Sequence, residues 1–106
     1  MDIQRLKDTI LKKNTLDLND DYGIEECWDI EVDILSKNIP EATNFLQTCS
    51  EDEFYWLSEI FPQLIEKTQS SELYNALCER NETLENQDYK LSNRTDLEFA
   101  KDALLH

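Results

Sequence analysis

Glycine, proline and histidine are almost missing from this sequence: Gly23, Pro40 and Pro62, and His106 are all there is in 106 residues. Few positions can therefore adopt positive φ or pre-set a turn, which leaves little from which to build tight β-hairpins. No stretch shows the apolar/polar alternation of a half-buried strand. A single glycine excludes a Gly-rich phosphate loop and a Gly-x-Ser-x-Gly nucleophile elbow, and neither Cys-x-x-Cys nor His-Glu-x-x-His occurs. The lone histidine is the last residue, where chain ends fray, and makes a poor general base. Cys27, Cys49 and Cys78 are odd in number, widely spaced and set among apolar neighbours, so they read as reduced small hydrophobes rather than a disulfide framework. No apolar run approaches the roughly 20 residues that span a bilayer. The opening "MDIQRLKDTILKKN" lacks the apolar core of a signal peptide, and the expected location is the cytoplasm.

Positive charge is also scarce. Twenty-four acids face ten Lys and Arg, a formal net charge of −14. Between Asn14 and Glu66 there are fourteen acids and one base, Lys37, whereas residues 1–13 carry four bases and two acids. Such a field argues against nucleic acid or an anionic membrane surface as a direct ligand, since both are polyanions.

The rest of the composition is that of a single globular domain over residues 1–106, 40% hydrophobic and 32% charged. Helical spacing recurs along it. Ile3, Leu6 and Ile10 predict a first helix to about Lys13, followed by the polar loop "NTLDLNDDYG". Asp20 or Asp21 is placed to cap a second helix, ending near Asn38. Its apolar stripe runs through Ile24, Cys27, Trp28 and Leu35, past Glu31, with Val32 and Ile34 widening it. Pro40 suits the first turn of a short third helix with Ala42, Phe45, Leu46 and Cys49 on one face. Ser50 and Glu53 form a capping box before Phe54, Leu57, Phe61 and Leu64, flanked by Trp56 and Ile60. Pro62 must kink or split that fourth helix, because it lacks a backbone donor. Ser70 and Ser71 cap a fifth, with Leu73, Ala76 and Leu77, ending near Arg80. After the polar segment "NETLENQDYKLSNRT", a last helix carries Leu97, Ala100 and Leu104 on one face, Ala103 adjacent. The expected fold is all-α, five to six short amphipathic helices in an antiparallel bundle. A faint echo at an offset of 28, Trp28 with Trp56, Val32 with Ile60 and Cys49 with Leu77, raises the alternative of a short α-solenoid-like stack.

The stretch "EECWDIEVDILSKN" concentrates carboxylates around one tryptophan. Glu26, Asp29 and Asp33 share a helix face, and Asp17, Asn19 and Asp21 alternate as in part of a calcium loop. That loop lacks a glycine at its sixth position and has Trp28, not an acid, at its twelfth. A solvated acidic face is the commoner reading of such spacing, so neither a metal nor a cofactor is expected. Trp28 and Trp56, at helical spacing among aliphatics, are assigned to the core. Tyr22 and Tyr55 lie off the apolar stripes and suit interface anchors, where an aromatic supplies contact area while acids steer a cationic partner. The candidate partner surface is therefore Asp17, Asp20, Asp21, Glu25, Glu26, Asp29 and Asp33, extended by Glu51 and Asp52, with Tyr22 and Tyr55. Glu51, Asp52 and Glu53 also have a local use, complementing the positive end of the helix dipole.

Several stretches, "EECW", "FLQTCSEDEFYWLSEIF", "IEKTQS" and "DLEFAKDAL", resemble small all-helical immunity proteins of bacterial contact-dependent growth inhibition and related polymorphic toxin systems. The resemblance covers roughly residues 20–104. It implies a non-catalytic cytoplasmic protein that binds the C-terminal domain of a cognate toxin and blocks its active site. The toxin expected is a basic nuclease, an RNase or DNase domain, because the acidic belt suits a positive substrate cleft. Three other readings share the composition. One is an acidic nucleic-acid mimic or antitoxin for a basic DNA-binding protein, another a carboxylate-only metal binder, and the third a helical scaffold whose aromatic surface is a self-contact.

Overall fold

Seven α-helices and one 3-10 turn, and no strand, make up the described residues, 1–17 and 19–105, of the computed structural model. His106, and with it the expectation of a frayed histidine, lies outside them. Helix α1 spans Ile3–Thr15, α2 Asp21–Ser36 and α3 Ile39–Thr48. The fourth predicted helix is split: α4 covers Glu51–Leu57, a 3-10 turn Ser58–Ile60, and α5 Phe61–Thr68. Proline settles in the first turn of α5, where its missing N–H costs nothing, and the tighter turn before it absorbs the change. Helix α6 spans Ser71–Glu82 and α7 Gln87–Ala103.

The caps follow from residue chemistry. Asp20 caps α2 by accepting from the Gly23 N–H. A β-carbon on Gly23 would stand 2.7 Å from the Asp20 carboxylate, so the single glycine makes room for the cap. Asn38, Ser70 and Asn86 cap α3, α6 and α7, and Ser50 with Glu53 forms the full capping box at α4.

Most of the polar segment expected to precede the last helix is the first half of α7. It reads as polar because its inward positions are not aliphatic. Asn93 is fully buried and donates to Asn81 Oδ1 at 3.0 Å, while Tyr89 stacks on Tyr55.

Two directions of packing organise the chain. Sequential pairs run antiparallel. Lys13 of α1 meets Glu31 of α2, and Glu82 pairs with Lys90 and Arg94 across α6 and α7, whereas the chain's amino group reaches Glu41 at the start of the non-sequential α3. Non-sequential neighbours run parallel, in a register of 34 residues: Gln63 to Asp29, Arg80 to Leu46, Gln69 to Ala103 and Glu85 to Glu51. The same separation joins Lys67 to Asp33 and Tyr55 to Tyr89. Helix α2 thus packs on α5, α3 on α6, and α5 most extensively on α7. This is an all-α bundle with the internal order of a short stack of helical pairs, and its repeat is 34 residues rather than the 28 suggested by the tryptophans.

The core runs through every layer: Leu6 and Ile10, Val32 and Leu35, Phe45 and Leu46, Phe54, Leu57, Phe61 and Leu64, Leu73 and Leu77, Leu97 and Ala100. Trp28 and Trp56 are half-buried and pack against this core rather than within it. Gln69, among the described residues the one non-glycine at positive φ (50°), ends α5 in the left-handed region. Its side-chain amide donates to the Ala103 carbonyl at 2.9 Å and accepts from the Leu105 N–H at 2.7 Å, which ties the ends of α5 and α7 together.

Candidate functional site

Helix α2 and the loop before it place most of the predicted acids on the surface. Asp17 is exposed and accepts from the Asn19 N–H at 2.9 Å, and Asp20 is committed to its cap. Asp21, Glu25 and Glu26 are exposed, and among the described residues no hydrogen bond or ion pair engages their carboxylates. Tyr22, 80% exposed, stands beside them. Farther along, Asp29 accepts weakly from Gln63 Nε2 at 3.4 Å, and Asp33 lies 3.2 Å from Lys37 and 3.9 Å from Lys67. A shallow groove between α2 and α5 is lined by Asp29, Asp33, Gln63, Glu66 and Lys67.

The acids of α4 are placed differently. Glu51 accepts from the Glu85 and Asn86 N–H groups at 2.9 and 3.0 Å, and these two donors hold its carboxyl below the ordinary range. Asp52 accepts from the Tyr89 hydroxyl at 2.7 Å, and Tyr55 stacks on Tyr89 with ring centroids 4.1 Å apart. Glu53 serves the capping box. Glu51, Asp52 and Tyr55 are thus bound to the α6–α7 turn and to the start of α7. The contacts of α2 run instead to α1, α3, α5 and the 3-10 turn. The predicted belt is two separate sets: on α2 and the loop before it, Asp21, Glu25 and Glu26 are unengaged while Asp17, Asp20, Asp29 and Asp33 have partners, and on α4 both Glu51 and Asp52 already have donors.

A third set escaped the sequence reading. Lys13, at the end of α1, is buried, with its ammonium 3.0 Å from Glu31 Oε1, 2.8 Å from Glu59 Oε1 and 2.9 Å from the Trp56 carbonyl. Glu31 is fully buried, and burial is the main cause that pushes its carboxyl up to about 7, against the pull of Lys13. A signal was present. Lys13 continues the stripe of Leu6 and Ile10, and Glu31 interrupts that of Cys27 and Leu35, so opposite charges occupy two core-facing positions.

The chain matches no protein-family model, no curated protein and no solved structure. Among the described residues, no three His, Cys, Asp or Glu side chains are grouped so as to hold a metal ion, and Asp17 and Asp20 accept from backbone N–H groups instead. The three cysteines are free thiols, Cys27 and Cys49 buried, and burial pushes the Cys49 thiol up to about 11. No helix among these residues is long and apolar enough to cross a membrane.

Proposed function

We propose that this chain is an immunity protein that binds a basic toxin domain in the cytoplasm and blocks its active site with the outward face of α2. The observation that supports this reading is the run of unengaged carboxylates, Asp21, Glu25 and Glu26, beside the exposed ring of Tyr22. Carboxylates without internal partners keep their field for an incoming cation and accelerate encounter, while an exposed tyrosine offers contact area at little entropic cost. Asp29 extends the same face, and Asp33, partly neutralised by Lys37 and Lys67, borders it. A nuclease is the toxin class that fits, because its cleft is built to hold phosphates and would accept a row of carboxylates in their place. Inhibition by occlusion then needs no catalytic group on this chain.

The test is affinity purification of the tagged chain from its own cells through a moderate salt wash, followed by nuclease assays on whatever is retained. The expected result is one stoichiometric basic domain whose nuclease activity disappears when the purified chain is added back. Recovery of the chain alone, or of a basic protein whose activity the chain leaves intact, overturns the reading.

A further inference from the structure

The junction of α1, α2 and the 3-10 turn encloses more negative than positive charge. Lys13 has three ammonium protons, and three acceptors surround it: Glu31 Oε1, Glu59 Oε1 and the Trp56 carbonyl. Nothing is left for Glu31 Oε2, which is buried and has no hydrogen-bond partner among the described residues. The site is closed, with side-chain exposure of 5% for Lys13 and 0% for Glu31. Glu59 differs, at 45% exposed, so water can solvate its charge. If both carboxylates were ionised, they would share the single charge of Lys13, and Glu31 Oε2 would carry negative charge with neither solvent nor a donor among the described residues. Such a charge is far more costly than a neutral acid in the same place.

We propose that this junction is a proton-dependent latch: Glu31 carries a proton on Oε2 in the folded protein, Lys13 keeps its full ion pair with Glu59, and loss of that proton loosens α1 from α2 and α4.

Apart from Lys13, which Glu31 shares with Glu59, the elements packed around Glu31 turn no cation toward it among the described residues. Lys13 is the cation that α1 turns toward it, and the 3-10 turn presents Glu59, a like charge. One turn back on α2 itself is the Cys27 thiol, which burial also raises. Helix α5 meets α2 through Gln63 and Lys67, which engage Asp29 and Asp33, and Glu41 of α3 pairs with the chain's amino group. Protonation on Oε2 makes the set of Lys13, Glu59 and Glu31 electroneutral. The upward displacement of the Glu31 carboxyl to about 7 lies in the direction this geometry requires. Because the folded value stands above the ordinary 4.5, the stabilisation is complete below about 4.5 and is lost as pH rises through about 7.

The test compares the wild-type chain with Glu31→Gln, which mimics the protonated acid in size and charge. Thermal unfolding is followed from about pH 5.5 to about pH 8.5, and the Glu31 carboxyl carbon is titrated by NMR in the folded wild type. Wild-type Tm is expected to fall by at least about 5 °C across that range, relative to Glu31→Gln, with the variant the more stable at the alkaline end. Other groups that titrate there are common to both proteins, so the difference between them isolates Glu31. A carboxyl midpoint above about 6 supports the latch, and one below about 5 overturns it. Equal pH slopes in the two proteins overturn it as well. If Glu31→Gln does not fold, the wild-type carboxyl titration decides alone.

Discussion

Glu25 and Glu26 on α2 and Glu51 and Asp52 on α4 are paired acids near the starts of their helices, alike in sequence and opposite in use. The α4 pair is consumed within the fold: Glu51 receives two backbone N–H groups from the α6–α7 turn, and Asp52 receives the Tyr89 hydroxyl. The α2 pair receives nothing among the described residues. The difference follows from position in the stack. The start of α4 lies against a turn whose N–H groups lack partners of their own because α7 is just beginning, so an adjacent carboxylate is captured there. The outward face of α2 has no such turn beside it. Glu31, on the inward side of the same helix, is the extreme of capture, enclosed with a lysine. An acid is available for an external partner only where the fold supplies it no donor.

The sharpest way to probe this contrast is to remove the cation from the captured set. Lys13→Met keeps the length of the stem but leaves Glu31, Glu59 and the Trp56 carbonyl without their common donor. A loss of about 3 kcal/mol in unfolding free energy is expected by urea denaturation, since breaking a buried pair strands its partners. The matching change at the exposed Lys37, paired with Asp33 at 3.2 Å, should cost no more than about 0.5 kcal/mol. Equal effects at the two lysines would mean that the junction is wetter than its burial indicates.

How far these roles could be read in advance depends on the range of the contacts that set them. Stripes such as Leu6 and Ile10 or Phe54, Leu57 and Phe61, and caps such as Ser50 with Glu53, are local, and sequence spacing exposes them directly. The exposure of Asp21, Glu25, Glu26 and Asp29 was legible for the same reason, because helical spacing sets them off the apolar stripe of α2. The fate of Glu51 was not, since its donors are 34 and 35 residues away. The repeat was misread because the two tryptophans, the most conspicuous residues, suggested an offset of 28. The contacts run at 34, through pairs as unlike as Asp29 with Gln63 and Leu46 with Arg80. The start of α7 escaped because a buried amide pair and a tyrosine stack fill positions where aliphatics are normally sought.

A change of intermediate size is expected at Glu51. Its two N–H donors favour the carboxylate, so its contribution is complete above the ordinary value of 4.5 and disappears as pH falls through the lower folded value. Glu51→Gln should therefore unfold at a lower temperature than the wild type at neutral pH. The gap should close on acidification, once the wild-type carboxyl is itself protonated. A gap that stays constant into acid would assign the loss to geometry rather than to the charge on Glu51.

The smallest effect on stability, and the largest on partner capture, belongs to the free set. Glu26→Lys with Asp29→Lys removes only the weak Gln63 contact, and the unfolding free energy should change by less than about 0.5 kcal/mol. Association with a basic toxin domain should nevertheless slow by at least about tenfold at low salt, and its dependence on ionic strength should flatten, because the steering field is reversed while the fold is retained. Glu51→Gln, whose carboxylate is already held by the α6–α7 turn, should leave the association rate close to that of the wild type. Stopped-flow rates across a salt series separate the cases. If both variants slow capture alike, long-range net charge rather than a defined face does the steering. If only Glu51→Gln slows it, the contact surface lies at the start of α4, and the acids of α2 are a solvated exterior.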